Sequence, residues 1–137
     1  MKKPSILVID DSKPILCLLK VILGKRFNVI AADDGFSAMS WLMEGNHPDL
    51  IISDLQMPKI DGIELLSYLS NSRYYDDIPI IVLSGVNEDD IPKLCANLKI
   101  SDYITKPFDP SDLLEKINNA LTQKRENQFP KGSFLLS

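Results

Sequence analysis

The stretch 50-LIISDLQMPKIDG-62 decides how this chain is read. Leu50, Ile51 and Ile52 form a continuous apolar run, which suits a strand covered on both faces. The run closes on a charge, Asp54, then turns at Met57-Pro58, and Asp61-Gly62 opens a helical pattern in which Asp61 can cap and Gly62 permits close approach. A carboxylate at the tip of such a strand either caps the next turn or helix or is held at a sheet edge for chemistry. The flanking sequence has to choose.

Comparable runs stand at 6–9 (ILVI), 29–32 (VIAA), 78–83 (IPIIVL) and 103–105 (YIT). Helical spacing fills the gaps between them. Ile15, Leu16, Leu18, Leu19, Ile22 and Leu23 form one apolar face, with Gly24 as its C-terminal cap. A second helix spans Phe36 to Glu44 and stops at GNHP; Ile63, Leu66 and Leu69 mark a third. Asp90 is placed to cap a fourth, with Pro92 in its first turn. Leu113, Leu114, Ile117, Ala120 and Leu121 mark a fifth, with Ser111 as its candidate cap. Strands alternating with helices predict a parallel sheet with right-handed crossovers and helices on both faces, a three-layer α/β fold. Ligands of such sheets bind outside the carboxyl ends of the strands.

The residues that end the strands therefore carry the information. The first strand ends in Asp10-Asp11, the third in Asp54, the fourth in Ser84-Gly85 and the fifth in Thr105-Lys106-Pro107. Asp33-Asp34-Gly35 after the second reads as a cap and turn. Folding thus gathers three carboxylates, a hydroxyl and an ammonium on one edge. Singly, each has a plain structural reading as cap, turn or solvated surface. Together, the carboxylates repel unless a cation intervenes. All-oxygen ligands suit Mg²⁺ or Mn²⁺ better than zinc, and the one histidine, His47, sits before Pro48 in a turn and takes no site role. With charge so neutralised, an aspartate can attack a phosphoryl group to give an acyl phosphate, Lys106 and the Ser84 hydroxyl serving its oxygens.

The bulk numbers leave room for that chemistry. A chain of 137 residues supports one domain with a full core. A net charge of −4 without a basic stripe argues against direct nucleic-acid binding. Cys17 and Cys95 lack metal-ligand spacing and read as buried free thiols of a reducing cytosol. The N-terminal apolar run is too short for a signal segment, and no stretch is long enough to insert in a membrane, so a cytoplasmic protein is expected.

Asp10-Asp11-Ser12, Asp54 followed by MPKIDG, Ser84-Gly85, Tyr103 and Lys106-Pro107-Phe108 together resemble the receiver domain of two-component response regulators, from residue 4 to about 122. The resemblance implies a flavodoxin-like, doubly wound (βα)5 fold, a five-stranded parallel sheet in the order 2-1-3-4-5. It implies Asp54 as the phosphoacceptor, with Asp10, Asp11, Asp54 and the Gln56 carbonyl around Mg²⁺ (Asp10 through water). It implies Lys106 beside the phosphoryl group, Ser84 and Tyr103 as the coupled switch, and a cis Lys106-Pro107 bond. Gln56 and Val86 would border the attacking water, and Val86, unable to orient it, predicts slow self-hydrolysis.

Implied partners are a sensor histidine kinase or histidine phosphotransfer protein, docking at Lys13, Pro14, Ile15 and Pro107, and a downstream output protein or domain. The output surface would be the fourth helix, fifth strand and fifth helix, on a monomer or a phosphorylation-dependent dimer. Two features depart from the family. Lys99 replaces a frequent glycine, so the fourth helix must close on Asn97 or a different turn, and Ser84 replaces the commoner threonine. Residues 123–137 read as a C-terminal tail or linker, with FLL at 134–136 able to dock on a neighbour. Competing readings are a phosphorylation-independent interaction module and an Asp-nucleophile phosphatase; the latter wants Asp at position 12, where Ser stands.

Overall fold

The structure, a computed structural model, describes residues 2–57 and 61–128, without the side chains of 127 and 128. Pro58, within the turn expected after Met57, and the FLL segment lie outside the described residues. The elements run β1 Ser5–Ile9, α1 Lys13–Leu23, β2 Asn28–Ala32, α2 Gly35–Met43, β3 Leu50–Ser53 and α3 Gly62–Asn71. Then come β4 Ile80–Ser84, a 3-10 turn Glu88–Asp90 leading into α4 Ile91–Leu94, β5 Asp102–Thr105 and α5 Pro110–Gln128. The sheet has the order β2-β1-β3-β4-β5, and its pairings are parallel, as expected.

The continuous apolar runs have their physical reason in two cores. Leu7, Ile9, Ile51, Ile80 and Val82 face a core shared with Leu42 of α2, Leu65, Leu66 and Leu69 of α3 and Ile91 of α4. Their neighbours Ile6, Val8, Leu50, Ile52, Ile81, Leu83 and Ile104 face Leu16, Leu19 and Leu23 of α1 and Leu113 and Ile117 of α5. Because successive strand residues point to opposite faces, a strand covered twice must be apolar throughout.

Several local expectations are corrected. Leu18 is 45% exposed and Cys17 is exposed too, because Leu16, Leu19 and Leu23 take the buried row and Leu18 lies about 200° round the helix from Leu16. Cys95 is buried as expected. Gly24 does stand at the end of α1, but in a right-handed conformation (φ −64°), its N–H donating to Lys20 O. Asp90 makes no capping bond, since its own backbone is already helical; Asn87 caps the 3-10 turn instead, accepting from Asp89 N–H at 3.0 Å. Asp109, not Ser111, caps α5, accepting from Ser111 N–H at 2.9 Å. Pro110 then takes the first helical position, where its missing N–H is no loss.

Two further points concern the ends of α4 and α5. α4 already ends at Leu94, closed by Cys95, whose N–H donates to Ile91 O at 3.0 Å, so neither Asn97 nor Lys99 caps it; further on, Lys99 N–H donates to Ser70 Oγ of α3 at 3.2 Å. And α5 continues to Gln128, past Leu121 where its apolar spacing ends, so residue 122 falls inside the helix.

Candidate functional site

Register builds the site. Ile9 pairs with Ser53 across β1 and β3, so the next residues, Asp10 and Asp54, emerge side by side at the carboxyl edge. Both are fixed by the ladder: Asp54 N–H donates to Ile9 O at 2.9 Å and Asp10 N–H to Ala32 O at 3.1 Å. Their carboxylates are then oriented locally. Asp10 Oδ1 accepts from Ser12 N–H at 2.9 Å, and Asp54 Oδ1 accepts from Leu55 N–H at 2.7 Å and, more loosely, Gln56 N–H at 3.4 Å. Asp61 caps α3 through Ile63 N–H. Gly62 then passes so close beneath the loop that a Cβ would collide with Asp54 O and stand 2.7 Å from Leu55 O. The close approach expected of that glycine is thus against the backbone of the site itself.

Lys106 enters from the loop after β5. Its own N–H donates to Ser84 O at 2.8 Å, and its bond to Pro107 is cis. The ammonium lies 2.7 Å from Asp10 Oδ2 and 3.1 Å from Asp54 Oδ2. Burial alone would lower the Lys106 pKa; the hydrogen bonds and charges of the two aspartates reverse that and hold it above the usual lysine range. Burial raises the Asp10 pKa despite Lys106 and the Ser12 N–H, which oppose it. Asp10 Oδ2 is buried, meets the Lys106 ammonium at 2.7 Å and has no other donor among the described residues.

The donor set itself is a fit test for a cation. Asp10, Asp11 and Asp54 each offer an oxygen within 4.8 Å of the others, Asp10 and Asp54 buried and Asp11 exposed. One lysine cannot neutralise three carboxylates, and an all-oxygen set is what a hard divalent ion takes. The residues fit Mg²⁺ or Mn²⁺.

Ser84 and Tyr103 frame the other side. Ser84 is 1% exposed, its Oγ accepting from Val86 N–H at 3.2 Å. Half-buried Tyr103 pairs with Val82 in register, two residues below the Ser84–Thr105 pair. Lys13 and Pro14 are exposed and Ile15 half-buried on the first turn of α1, just after Asp11-Ser12; Pro107 is exposed beside the site. Gln56 is exposed at the loop over Asp54. His47 lies apart, Nε2 bonding Tyr74 O at 3.0 Å and Asp77 Oδ1 at 3.1 Å.

Sequence reasoning missed Lys116. Its ammonium donates to Tyr103 O at 2.9 Å and stands 6.0 Å from the Tyr103 ring centroid. It also lies 3.7 Å from both Asp102 and Asp112. The i,i+4 spacing to Asp112 was visible in the sequence; the contact with Tyr103 depends on how α5 crosses β5.

Comparisons with known proteins agree with this geometry. The response regulator receiver domain family matches residues 6–118. The response regulator GtcR of Aneurinibacillus migulanus is 35% identical over 93% of this chain, which covers 51% of GtcR. The alkaline phosphatase synthesis transcriptional regulatory protein PhoP of Bacillus subtilis is 36% identical over 93% of the chain, which covers 52% of PhoP. The chain therefore spans about half the length of these relatives, and only 8% of a hybrid signal transduction histidine kinase of Dictyostelium discoideum. Among solved structures, a receiver domain protein from Clostridium thermocellum is 30% identical with a TM-score of 0.79, covering 89% of this chain and 97% of that one. With the strand order, the carboxylate edge and the family match in agreement, this chain belongs to the response regulator receiver domain family.

Proposed function

We propose that Asp54 is the phosphoacceptor of this receiver domain. The family works in phosphorelay signalling as a switch and not as an enzyme turning over an external substrate. The observation that carries the assignment is the Lys106 ammonium bridging Asp10 and Asp54 on the edge where Asp11 completes the carboxylate set. Asp54 Oδ attacks the phosphorus of the donor, the donor's bond to phosphorus breaks with its electron pair, and an acyl phosphate forms on Asp54. Lys106, held charged by its two partners, pairs with an equatorial phosphoryl oxygen. Asp10, Asp11, Asp54 and the Gln56 carbonyl would hold Mg²⁺, which supplies further positive charge to those oxygens. The Ser84 hydroxyl donates to the third oxygen, and its movement gives the Tyr103 ring room to turn.

The donor is a phosphohistidine on a kinase or phosphotransfer protein, received at Lys13, Pro14 and Ile15 of α1 and at Pro107. The signal leaves by the α4–β5–α5 face to an output protein or domain. Among the described residues no helix is long and apolar enough to cross a membrane. A cytoplasmic site of action, where a histidine kinase meets its acceptor, belongs to the same proposal.

The test is acetyl phosphate with Mg²⁺, followed by intact mass and by NMR of the phosphorylated or beryllofluoride-treated chain. One phosphoryl group should add to the wild type and none to Asp54→Asn. EDTA should suppress the reaction. Equal labelling of Asp54→Asn would remove the assignment.

A further inference from the structure

On the output face, a cleft of about 330 Å³ opens between the 3-10 turn and the start of α5. Tyr103, Thr105, Pro107 and Phe108 line it from the β5 side. Its rims are acidic: Glu88 on one side, Asp109 and Asp112 on the other. Asp89 and Asp90, both exposed, extend the first rim. Among the described residues Glu88, Asp89, Asp90 and Asp109 form no ion pair. Among the described residues the one cation lining the cleft is Lys116, whose ammonium donates to Tyr103 O at 2.9 Å, stands 6.0 Å from the Tyr103 ring centroid and lies 3.7 Å from Asp112 and from Asp102, which is outside the lining. Lys116 is shared between Asp102 and Asp112, so the Glu88 and Asp109 side of the cleft keeps its negative charge.

An aromatic surface between carboxylates suits a guanidinium, which stacks on the ring and donates in two directions. We propose that the output partner of this domain presents a basic segment and seats an arginine in this cleft, between Glu88 and Asp109–Asp112 and against Tyr103. The proposal rests on the receiver reading and gives its output face a partner chemistry. Since Tyr103 is both cleft wall and switch residue, phosphorylation of Asp54 reshapes the seat directly.

The test uses the full chain, ¹⁵N-labelled, in saturating Mg²⁺ with and without beryllofluoride. A short synthetic peptide with two arginines is titrated in, and a second peptide with both arginines replaced by glutamate serves as control. The arginine peptide should shift the amides of Glu88, Tyr103, Asp109 and Asp112, with an affinity that beryllofluoride changes and salt weakens. A Glu88→Gln, Asp109→Asn, Asp112→Asn variant should bind about tenfold more weakly. Glu88→Gln alone, which leaves the α5 cap intact, should give part of that loss. Acetyl phosphate labelling of the same samples separates the two ideas: lost labelling in the wild type defeats the receiver reading. Intact labelling overturns the cleft proposal if the peptide shifts are absent, survive in both variants, or map to α1. A beryllofluoride-induced dimer that buries Glu88 and Asp112 overturns it as well.

Discussion

Asp10 is held against its own preference. Burial keeps its carboxyl above the ordinary aspartate range, and Lys106 and the Ser12 N–H only partly counter this. For an acid raised in the folded state, stability falls as pH climbs from the unfolded value through the folded one, because ionisation favours the unfolded chain. Lys106 has the opposite sign. Its pKa is raised by its partners, so its contribution is complete below the unfolded lysine value and is lost as pH rises through the folded one. Asp10→Asn keeps an oxygen for Ser12 N–H and deletes the buried charge. It should stabilise the metal-free chain by about 1–2 kcal/mol in urea unfolding at neutral pH. Added Mg²⁺ should then stabilise the variant less than the wild type. A variant less stable than wild type without metal would show that the buried charge is no net cost. At this scale the sequence was informative, because Asp10, Asp54, Ser84 and Lys106 each end an apolar run and so declare their edge. Lys116 was not legible, since nothing local to α5 indicates which β5 residue lies beneath it.

The loops around α3 show how elements hold the site. Gly62 begins α3 where a Cβ would strike Asp54 O, so Gly62→Ala must push the helix away from the Asp54–Leu55 loop. The substitution should cost about 1–3 kcal/mol and slow acetyl phosphate labelling of Asp54; thermal melts and labelling rates check both. Ser70, 4% exposed near the other end of α3, takes up the Lys99 N–H in the segment between α4 and β5. Ser70→Ala should cost about 1–2 kcal/mol, with faster amide exchange at Lys99 and little change in Asp54 labelling. Protection of the Lys99 amide equal to wild type would show that another acceptor serves it. The sequence located these elements but misassigned caps. Asp90 and Ser111 have the right chemistry for a cap, yet Asn87 and Asp109 stand in the geometry that uses it. The Ser70–Lys99 bond joins segments 29 residues apart, beyond any local pattern.

In the whole molecule the sheet separates two cores, one under α2, α3 and α4 and the other under α1 and α5. Leu66→Ala in the first and Leu19→Ala in the second should each cost about 2–5 kcal/mol. Their effects should sum to within roughly 0.5 kcal/mol, because the cavities lie on opposite faces. A double mutant far from that sum in denaturant unfolding would mean that the sheet passes strain from one face to the other. Alternating runs were enough to foresee a parallel sheet covered on both sides. They did not fix the strand order, which depends on non-local pairing and came from the resemblance.

One residue gives this architecture a mechanical property. Lys106 follows β5, bonds β4 through its own N–H to Ser84 O, and reaches β3 and β1 through Asp54 and Asp10. Three strand spacings, roughly 14 Å, separate β5 from β1 in such a sheet. Residue 106 is therefore a tie-rod across the end of the sheet, joined to four strands by its backbone amide and its ammonium, with the Asp54 and Asp10 side chains covering the rest of the span. Any group that takes hold of the ammonium loads the rod at its inner end. The outer end is the short Pro107–Phe108–Asp109 link, which leads straight into α5 and lines the cleft beside Tyr103.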